Sequence, residues 1–339
     1  MTAAALPPLA LTMGEPAGIG GEIALMAWAA RAERGVPPFL LLDDPARLRG
    51  LAAGIGLEVP VEAVEGPEEA TAAFARALPV LPVDLAAPVV AGTPDPANGA
   101  AVIASIDRAV ALVRAGRASA VVTNPIQKSA LYAAGFRHPG HTEYLAHLAG
   151  LAEEPVMLLE GGGLRVVLAT IHVPYRDVPA ALTADGIVHV ARVTARALAS
   201  DFGVERPRLA VAGLNPHAGE AGTIGREEVE VIAPAVARLR ADGIDASGPY
   251  PSDTLFHAGA RARYDAVVCM YHDQGLIPLK TLDFDTGVNV TLGLPFVRTS
   301  PDHGTALSLA GTGTASPSSL IQAMRSAAGM AARRAGRAA

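Results

Sequence analysis

The chain has 339 residues and a formal net charge of -6, from 27 Lys and Arg against 33 Asp and Glu. No basic surplus and no cluster of Lys or Arg interleaved with aromatics is on offer for nucleic acid, and the start MTAAALPPLALTMGEP lacks the cationic opening of a signal peptide. Half the residues are hydrophobic but only 4% are aromatic, a composition that suits helices packed closely on a parallel sheet, in one large or two α/β domains.

No apolar run approaches the length of a bilayer span, so a soluble, cytoplasmic protein without a membrane partner is expected. The single cysteine, Cys269, lies inside an apolar run. It excludes an intrachain disulfide and reads as a core residue rather than a nucleophile.

In chain order, Leu9 to Met13 reads as a first strand, and the turn from Gly14 to Glu22 leads into an Ala-rich helix ending near Gly35. Its glycines miss the G-x-G-x-x-G spacing and no Lys-Ser/Thr pair follows, so a tight strand-to-helix turn is the simplest reading. Phe39 to Leu42 is a second strand, followed by Asp43-Asp44-Pro45 and a helix to about Ala53, which continues a βαβ rhythm. Between Val59 and Val83 the pattern weakens and assigns no strands. A helix is expected from about Ala101 to Ala115, where Val102, Ile106, Val110 and Val113 have helical spacing. The short strand Ala120 to Val122 then delivers the loop Thr123 to Lys128, and Thr142 is placed to cap a helix running to about Gly150.

Two apolar runs, Glu154 to Glu160 and Leu164 to Val173, are joined by Gly161, Gly162 and Gly163 and predict a β-hairpin. The hairpin breaks the βαβ rhythm and marks a second lobe or an antiparallel edge, with His172 at its end. Arg208 to Ala212 is another buried strand, and His217 follows it in a Gly-rich loop before a long helix. Asp253 is placed to cap a helix running towards Arg263, and a C-terminal helix covers Ser316 to Ala339.

The densest chemistry lies between Asp265 and Gly311. The strand Ala266 to Met270 delivers Tyr271, His272, Asp273 and Gln274 at its C-terminal end, where ligands bind in open α/β sheets. A Pro-broken segment carries Lys280, the apolar stretch Val288 to Leu294 carries Asn289, and Arg298 follows. His303, Gly304, Thr305 and Ala306 read as the opening of a helix with free N–H groups for an anion.

His172, His217 and His272 each end an apolar strand and would converge if those strands share one sheet edge. Three neutral imidazoles are enough to hold a divalent cation with positions open to substrate, although isolated histidines also serve as structural or surface residues. Lys280, Asn289, Arg298 and the His141-Thr142 pair supply cations and donors suited to phosphate or carboxylate. His303 reads either as a group near a cofactor or as a helix-start histidine with backbone contacts only.

The segments GEPAGIGGE, TNPIQK, GHTEY, GLNPHAGE, PSDTLF, MYHDQGLIPLK and GVNVTLGLPFVRTSPDHGTA run nearly end to end. Together they resemble the 4-hydroxythreonine-4-phosphate dehydrogenase family, NAD-dependent enzymes of vitamin B6 biosynthesis. The resemblance implies an α/β fold of the isocitrate/isopropylmalate dehydrogenase type, with approximate lobes 1–150 plus 275–339 and 151–274 and the active site in the cleft between them. It puts the metal ligands on His172, His217 and His272 and the substrate contacts on His141, Thr142, Lys280, Asn289 and Arg298. It sets NAD or NADP against His303, Gly304 and Thr305. One divalent cation per subunit is implied: three imidazoles suit zinc, cobalt or nickel, and oxygen ligands from substrate would admit magnesium or manganese. A homodimer with the active site at the subunit interface is implied as well.

The chemistry implied is oxidation of 4-phosphooxy-L-threonine at C3 followed by decarboxylation to 3-amino-2-oxopropyl phosphate. Relatives that oxidise 4-phospho-D-threonate, 4-phospho-D-erythronate or a cyclic dihydrodiol keep the substrate open. A phosphate-ligand binding protein that has lost catalysis is a third reading.

Overall fold

The first apolar run folds as β1 (Leu9–Thr12), fully buried, and the glycine turn after it leads to α1 (Gly20–Ala29). β2 (Phe39–Asp43) is followed by α2 (Pro45–Gly54), whose start is fixed by Pro45 in its first turn and by the Asp44 carboxylate, which accepts from the Ala46 and Arg47 N–H groups. The stretch without a clear pattern contains β3 (Val61–Ala63), α3 (Pro67–Phe74) and β4 (Leu78–Pro82). β3 has no buried side chain and β4 carries two prolines, so neither shows the usual strand signature. Next come α4 (Gly99–Arg114), β5 (Val121–Val122), α5 (Lys128–Ala133) and α6 (His141–Ala149).

The hairpin forms as expected: β6 (Val156–Gly161) pairs antiparallel with β7 (Leu164–Leu168), and Gly162 and Gly163 turn the chain at φ 56° and 75°. The chain continues through α7 (Val178–Ala181), α8 (Ala184–Ser200), β8 (Arg208–Ala212), α9 (Ala233–Ala241), β9 (Asp245–Tyr250), α10 (Ala258–Arg261), β10 (Ala266–Cys269), α11 (His272–Leu282) and β11 (Val288–Leu292). β12 (Arg298–Pro301) and α12 (Ser318–Ala338) end the chain.

This computed structural model describes residues 6–338, which divide into two units, 6–154 with 294–335 and 155–293 with 336–338. In the first, six parallel strands have the order β3-β4-β2-β1-β5-β12. In the second the order is β11-β6-β7-β10-β8-β9, with β7, β10, β8 and β9 parallel and β6 antiparallel to both neighbours. Residues 275–293 fall in the second unit rather than with the first lobe. β11 pairs with β6 through Asn289 and Leu159, and Leu276 and Leu279 of α11 enter the core with Val166, Val267 and Cys269.

Several local expectations are corrected. Residues 96–114 are long and apolar enough to cross a membrane by length and composition, but Val102, Ile106, Ala109 and Val110 face the core of the first unit beside Leu40, Leu42 and Val121. Core burial explains the apolarity. Gly140, not Thr142, occupies the N-cap of α6, and Asp253 sits in a short turn before α10, which starts after His257. α11 runs through Pro278, which removes one backbone donor without ending the helix. Residues 303–306 open no α-helix: Ala306 is left-handed at φ 43°, and only a three-residue 3-10 turn follows.

Candidate active site

In the second unit, β7, β10 and β8 are adjacent and parallel, with Leu168 beside Cys269 and Val211 beside Val268. Their C-terminal ends therefore share one sheet edge, and the loops that carry His172, His272 and His217 leave from it. The rings of His172 and His272 are 5.9 Å apart, in a hollow of about 340 Å³ also lined by Tyr175, Tyr271 and Asp273. His272 Nδ1 lies 2.7 Å from Asp273 Oδ1, and Asp273 Oδ2 accepts from the Tyr175 hydroxyl at 2.8 Å. The His272 contact first, and the tyrosine second, hold the Asp273 carboxyl below its ordinary range. A carboxylate at Nδ1 leaves the lone pair on Nε2, the arrangement in which a hydrogen-bonded partner orients a metal-binding imidazole.

His217 starts a run of left-handed residues in which His217, Ala218, Glu220 and Ala221 have φ of 53°, 51°, 43° and 56°. Such backbone costs about 1–2 kcal/mol for each residue with a side chain. The buried Glu228 offsets this by accepting from the Leu214 and Asn215 N–H groups, both at 2.7 Å, and from Asn215 Nδ2 at 3.0 Å. Gln274 ties the same loop to β10, accepting from Met270 N at 2.6 Å and donating to Gly213 O at 2.6 Å. Among the described residues no three His, Cys, Asp or Glu side chains form a ready cage. The donor set nonetheless fits a divalent cation: two imidazoles meet, one with its tautomer fixed, and the third stands on the loop of a neighbouring strand.

In the first unit, β12 lies beside β5 with Arg298 opposite Val121. Arg298 is buried and donates to Thr123 Oγ1 at 2.6 Å. Burial lowers its guanidinium to about 10, with Glu143 acting in the opposite sense, so it stays cationic at neutral pH. His141 opens α6, and its Nε2 is covered without a hydrogen-bond partner. Burial first, then the charges of Arg298 and Lys128, push its pKa well below the imidazole range. Two cations and a neutral imidazole thus share one corner with Thr142, which suits a bound anion. Lys128, the first residue of α5 at the end of the loop that follows β5, was not among the sequence candidates.

Lys280 and Asn289 belong to the second unit, on α11 and β11. Lys280 Nζ lies 5.5 Å over the Phe284 ring, and Asn289 Oδ1 is covered without a hydrogen-bond partner. His303, Gly304 and Thr305 belong to the first unit. Their loop is held against the first turn of the chain, with Ile19 N donating to Thr305 O at 3.1 Å and the buried Glu22 accepting from Gly311 N at 2.8 Å. Gly14 at that turn has φ 69°, and a Cβ there would lie 2.7 Å from Asn124 Cβ, so no side chain fits.

With this geometry in place, comparison with known proteins is decisive. The family model described as pyridoxal phosphate biosynthetic protein PdxA matches residues 36–327. The chain belongs to the PdxA family. The 4-hydroxythreonine-4-phosphate dehydrogenase of Methylorubrum populi is 58% identical over 332 residues, covering 96% of this chain and 95% of the relative. That of Bradyrhizobium diazoefficiens is 55% identical over 339 residues, covering 97% and 98%. The crystal structure of the Klebsiella pneumoniae enzyme of the same name superposes with a TM-score of 0.87 at 39% identity, over 98% of this chain and 99% of that one. The α/β architecture is thus that of PdxA proteins, and both the histidine edge and the anion corner occur within a member of the family.

Proposed function

We propose that this PdxA-family chain is an NAD(P)-dependent dehydrogenase that oxidises 4-hydroxythreonine 4-phosphate at C3, with loss of CO2 to give 3-amino-2-oxopropyl phosphate in vitamin B6 biosynthesis. The observation that carries the reading is the 58% identity, over nearly the whole length of both chains, to a relative of that name. His172, His217 and His272 would hold one divalent cation, zinc, cobalt, magnesium or manganese. When bound, the cation supplies Lewis acidity towards the hydroxyl and ketone oxygens, and the nicotinamide takes the hydride.

The chain's own residues bind and orient. Arg298, Lys128, Thr142 and the neutral His141 offer donors to one anionic end of the substrate, and Lys280 and Asn289 offer a cation and an amide for its other polar groups. Fixing the ends of a short substrate sets which face of its C3–H is presented for transfer. The Tyr175–Asp273–His272 chain of hydrogen bonds holds one imidazole in place. His303, Gly304 and Thr305 are the proposed dinucleotide contacts.

The working form is proposed to be a cytoplasmic homodimer whose active site draws on both subunits. Exposed apolar side chains of the second unit support this: Tyr175 is 64%, Ile277 63% and Phe284 76% exposed. The test is dinucleotide reduction by metal-loaded protein with 4-hydroxythreonine 4-phosphate and, separately, 4-phospho-D-threonate, before and after chelation. Turnover of the first that stops with chelator and returns with metal is expected. Turnover of 4-phospho-D-threonate alone would overturn the substrate assignment and move the enzyme to sugar-acid chemistry.

A further inference from the structure

The loop between β5 and α5, residues 123–127, runs from the anion corner towards Thr305, and one of its side chains has no role so far. Thr123 at its start accepts from Arg298 Nη2 at 2.6 Å, and Lys128 follows its end, so both of the corner's cations meet this loop. Its middle is pinned. Glu15 N donates to Pro125 O at 2.8 Å, and the buried Asn124 donates from Nδ2 to Thr12 O at 3.0 Å. Gln127, half-buried, immediately precedes Lys128. Its Oε1 accepts from Thr305 Oγ1 at 3.2 Å, and its Nε2 donates to Ser129 Oγ at 3.1 Å.

At the far end of this link the backbone is strained. Ala306, next to Thr305, has φ 43°, which is unfavourable for a residue with a side chain, so the loop keeps its shape only while its neighbours hold it. Three bonds do so: Ile19 N donates to Thr305 O at 3.1 Å, Leu309 N donates to Ala306 O at 2.8 Å, and the Thr305 hydroxyl donates to Gln127. Of the three, only the last reaches the segment that carries Lys128.

At the near end, Lys128 Nζ lies beside Gly140, 3.7 Å from where a Cβ there would stand, at the start of the helix that opens with His141 and Thr142. An anion that draws Lys128 into the corner therefore acts on the residue bonded to Gln127, and through one amide on Thr305.

We propose that Gln127 is a positioning residue that couples two binding events. A phosphorylated substrate on Lys128 and Arg298 tightens the dinucleotide at Thr305, and the dinucleotide tightens the substrate by the same factor, an equality that linkage requires. The two ligands are those of the dehydrogenase reading above, on which this coupling rests. It favours holding the nicotinamide when there is a substrate to oxidise.

The test is a fluorescence titration of the metal-loaded, full-length protein with NADH, without and with saturating 4-hydroxythreonine 4-phosphate, a pair that has no hydride acceptor and cannot react. Wild type is compared with Gln127→Met, which keeps the side-chain length and removes the amide. Thr305→Val removes the hydroxyl at the other end of the bond and decides the matter if the first variant folds poorly. In wild type the substrate is expected to tighten NADH by about fivefold or more, and NADH to tighten the substrate equally. Both variants should lower that factor at least about threefold. Gln127→Met should do so with its affinity for substrate alone and its melting temperature unchanged, which a purely structural amide would not produce. A wild type without coupling, or a factor that both variants retain, would overturn the proposal and leave the dehydrogenase reading standing. NADH that binds neither alone nor with 4-hydroxythreonine 4-phosphate or 4-phospho-D-threonate would overturn that reading, and the coupling with it.

Discussion

His141 is held neutral in the folded protein by its burial and by the charges of Arg298 and Lys128. In the unfolded chain it titrates near its ordinary value of about 6.5. Below that pH the unfolded state takes up a proton that the folded state refuses, so this residue's contribution is intact above about pH 6.5 and is lost as the pH falls towards the folded value. His141→Gln is therefore expected to flatten the acid limb of melting temperature against pH below about 6.5; an unchanged limb would refute the assignment. Arg298→Met should raise KM for the phosphorylated substrate by about 10- to 100-fold, the usual worth of a charge-assisted hydrogen bond, and steady-state kinetics checks it. At this scale the sequence revealed residue types well: histidines at strand ends and Arg298 between apolar neighbours stood out. Glu228 did not, because its role consists of three bonds to Leu214 and Asn215 on another segment, which no local pattern announces.

Elements were legible where local pattern and burial agree. The hairpin at Gly162 and Gly163, the strands before His217 and His272, and the amphipathic α4 all followed from spacing. Reading failed where backbone conformation departs from composition: Ala306 is left-handed where a helix start was expected, and β3 is an edge strand with no buried side chain. The left-handed turn from His217 to Ala221 was equally invisible, since alanine gives no hint of positive φ. Its strain can be tested directly. Ala221 is exposed at φ 56°, so Ala221→Gly should stabilise the protein by about 1 kcal/mol in urea unfolding, the reverse of glycine's usual effect. Glu228→Ala should destabilise it by about 1–3 kcal/mol, because the Leu214 and Asn215 backbone donors lose their acceptor. It should also weaken zinc binding measured by competition with a chromophoric chelator. A loss of stability with zinc affinity unchanged would mean that Glu228 supports the fold but does not position His217.

At the scale of the whole molecule, the chain leaves its first unit after residue 154 and returns at 294, so the second unit is an insertion between β5 and β12 rather than a C-terminal domain. The histidines lie in the inserted unit, while His141 and Arg298 lie on either side of it in sequence, a division that composition could not reveal. The apolar side chains left exposed on the inserted unit give the proposed dimer a test. Tyr175 and Phe284 are poor probes, because the first bonds to Asp273 and the second lies under Lys280. Ile277 is 63% exposed on α11, so a charge placed there perturbs an intermolecular contact before it perturbs the core. Ile277→Glu is expected to halve the mass seen by light scattering, to keep the far-ultraviolet circular dichroism of the wild type, and to lose turnover with the dimer. A wild type that is monomeric and fully active would remove the need for a shared site. If the variant is monomeric and still turns over, the dimer stands but each subunit completes its own active site.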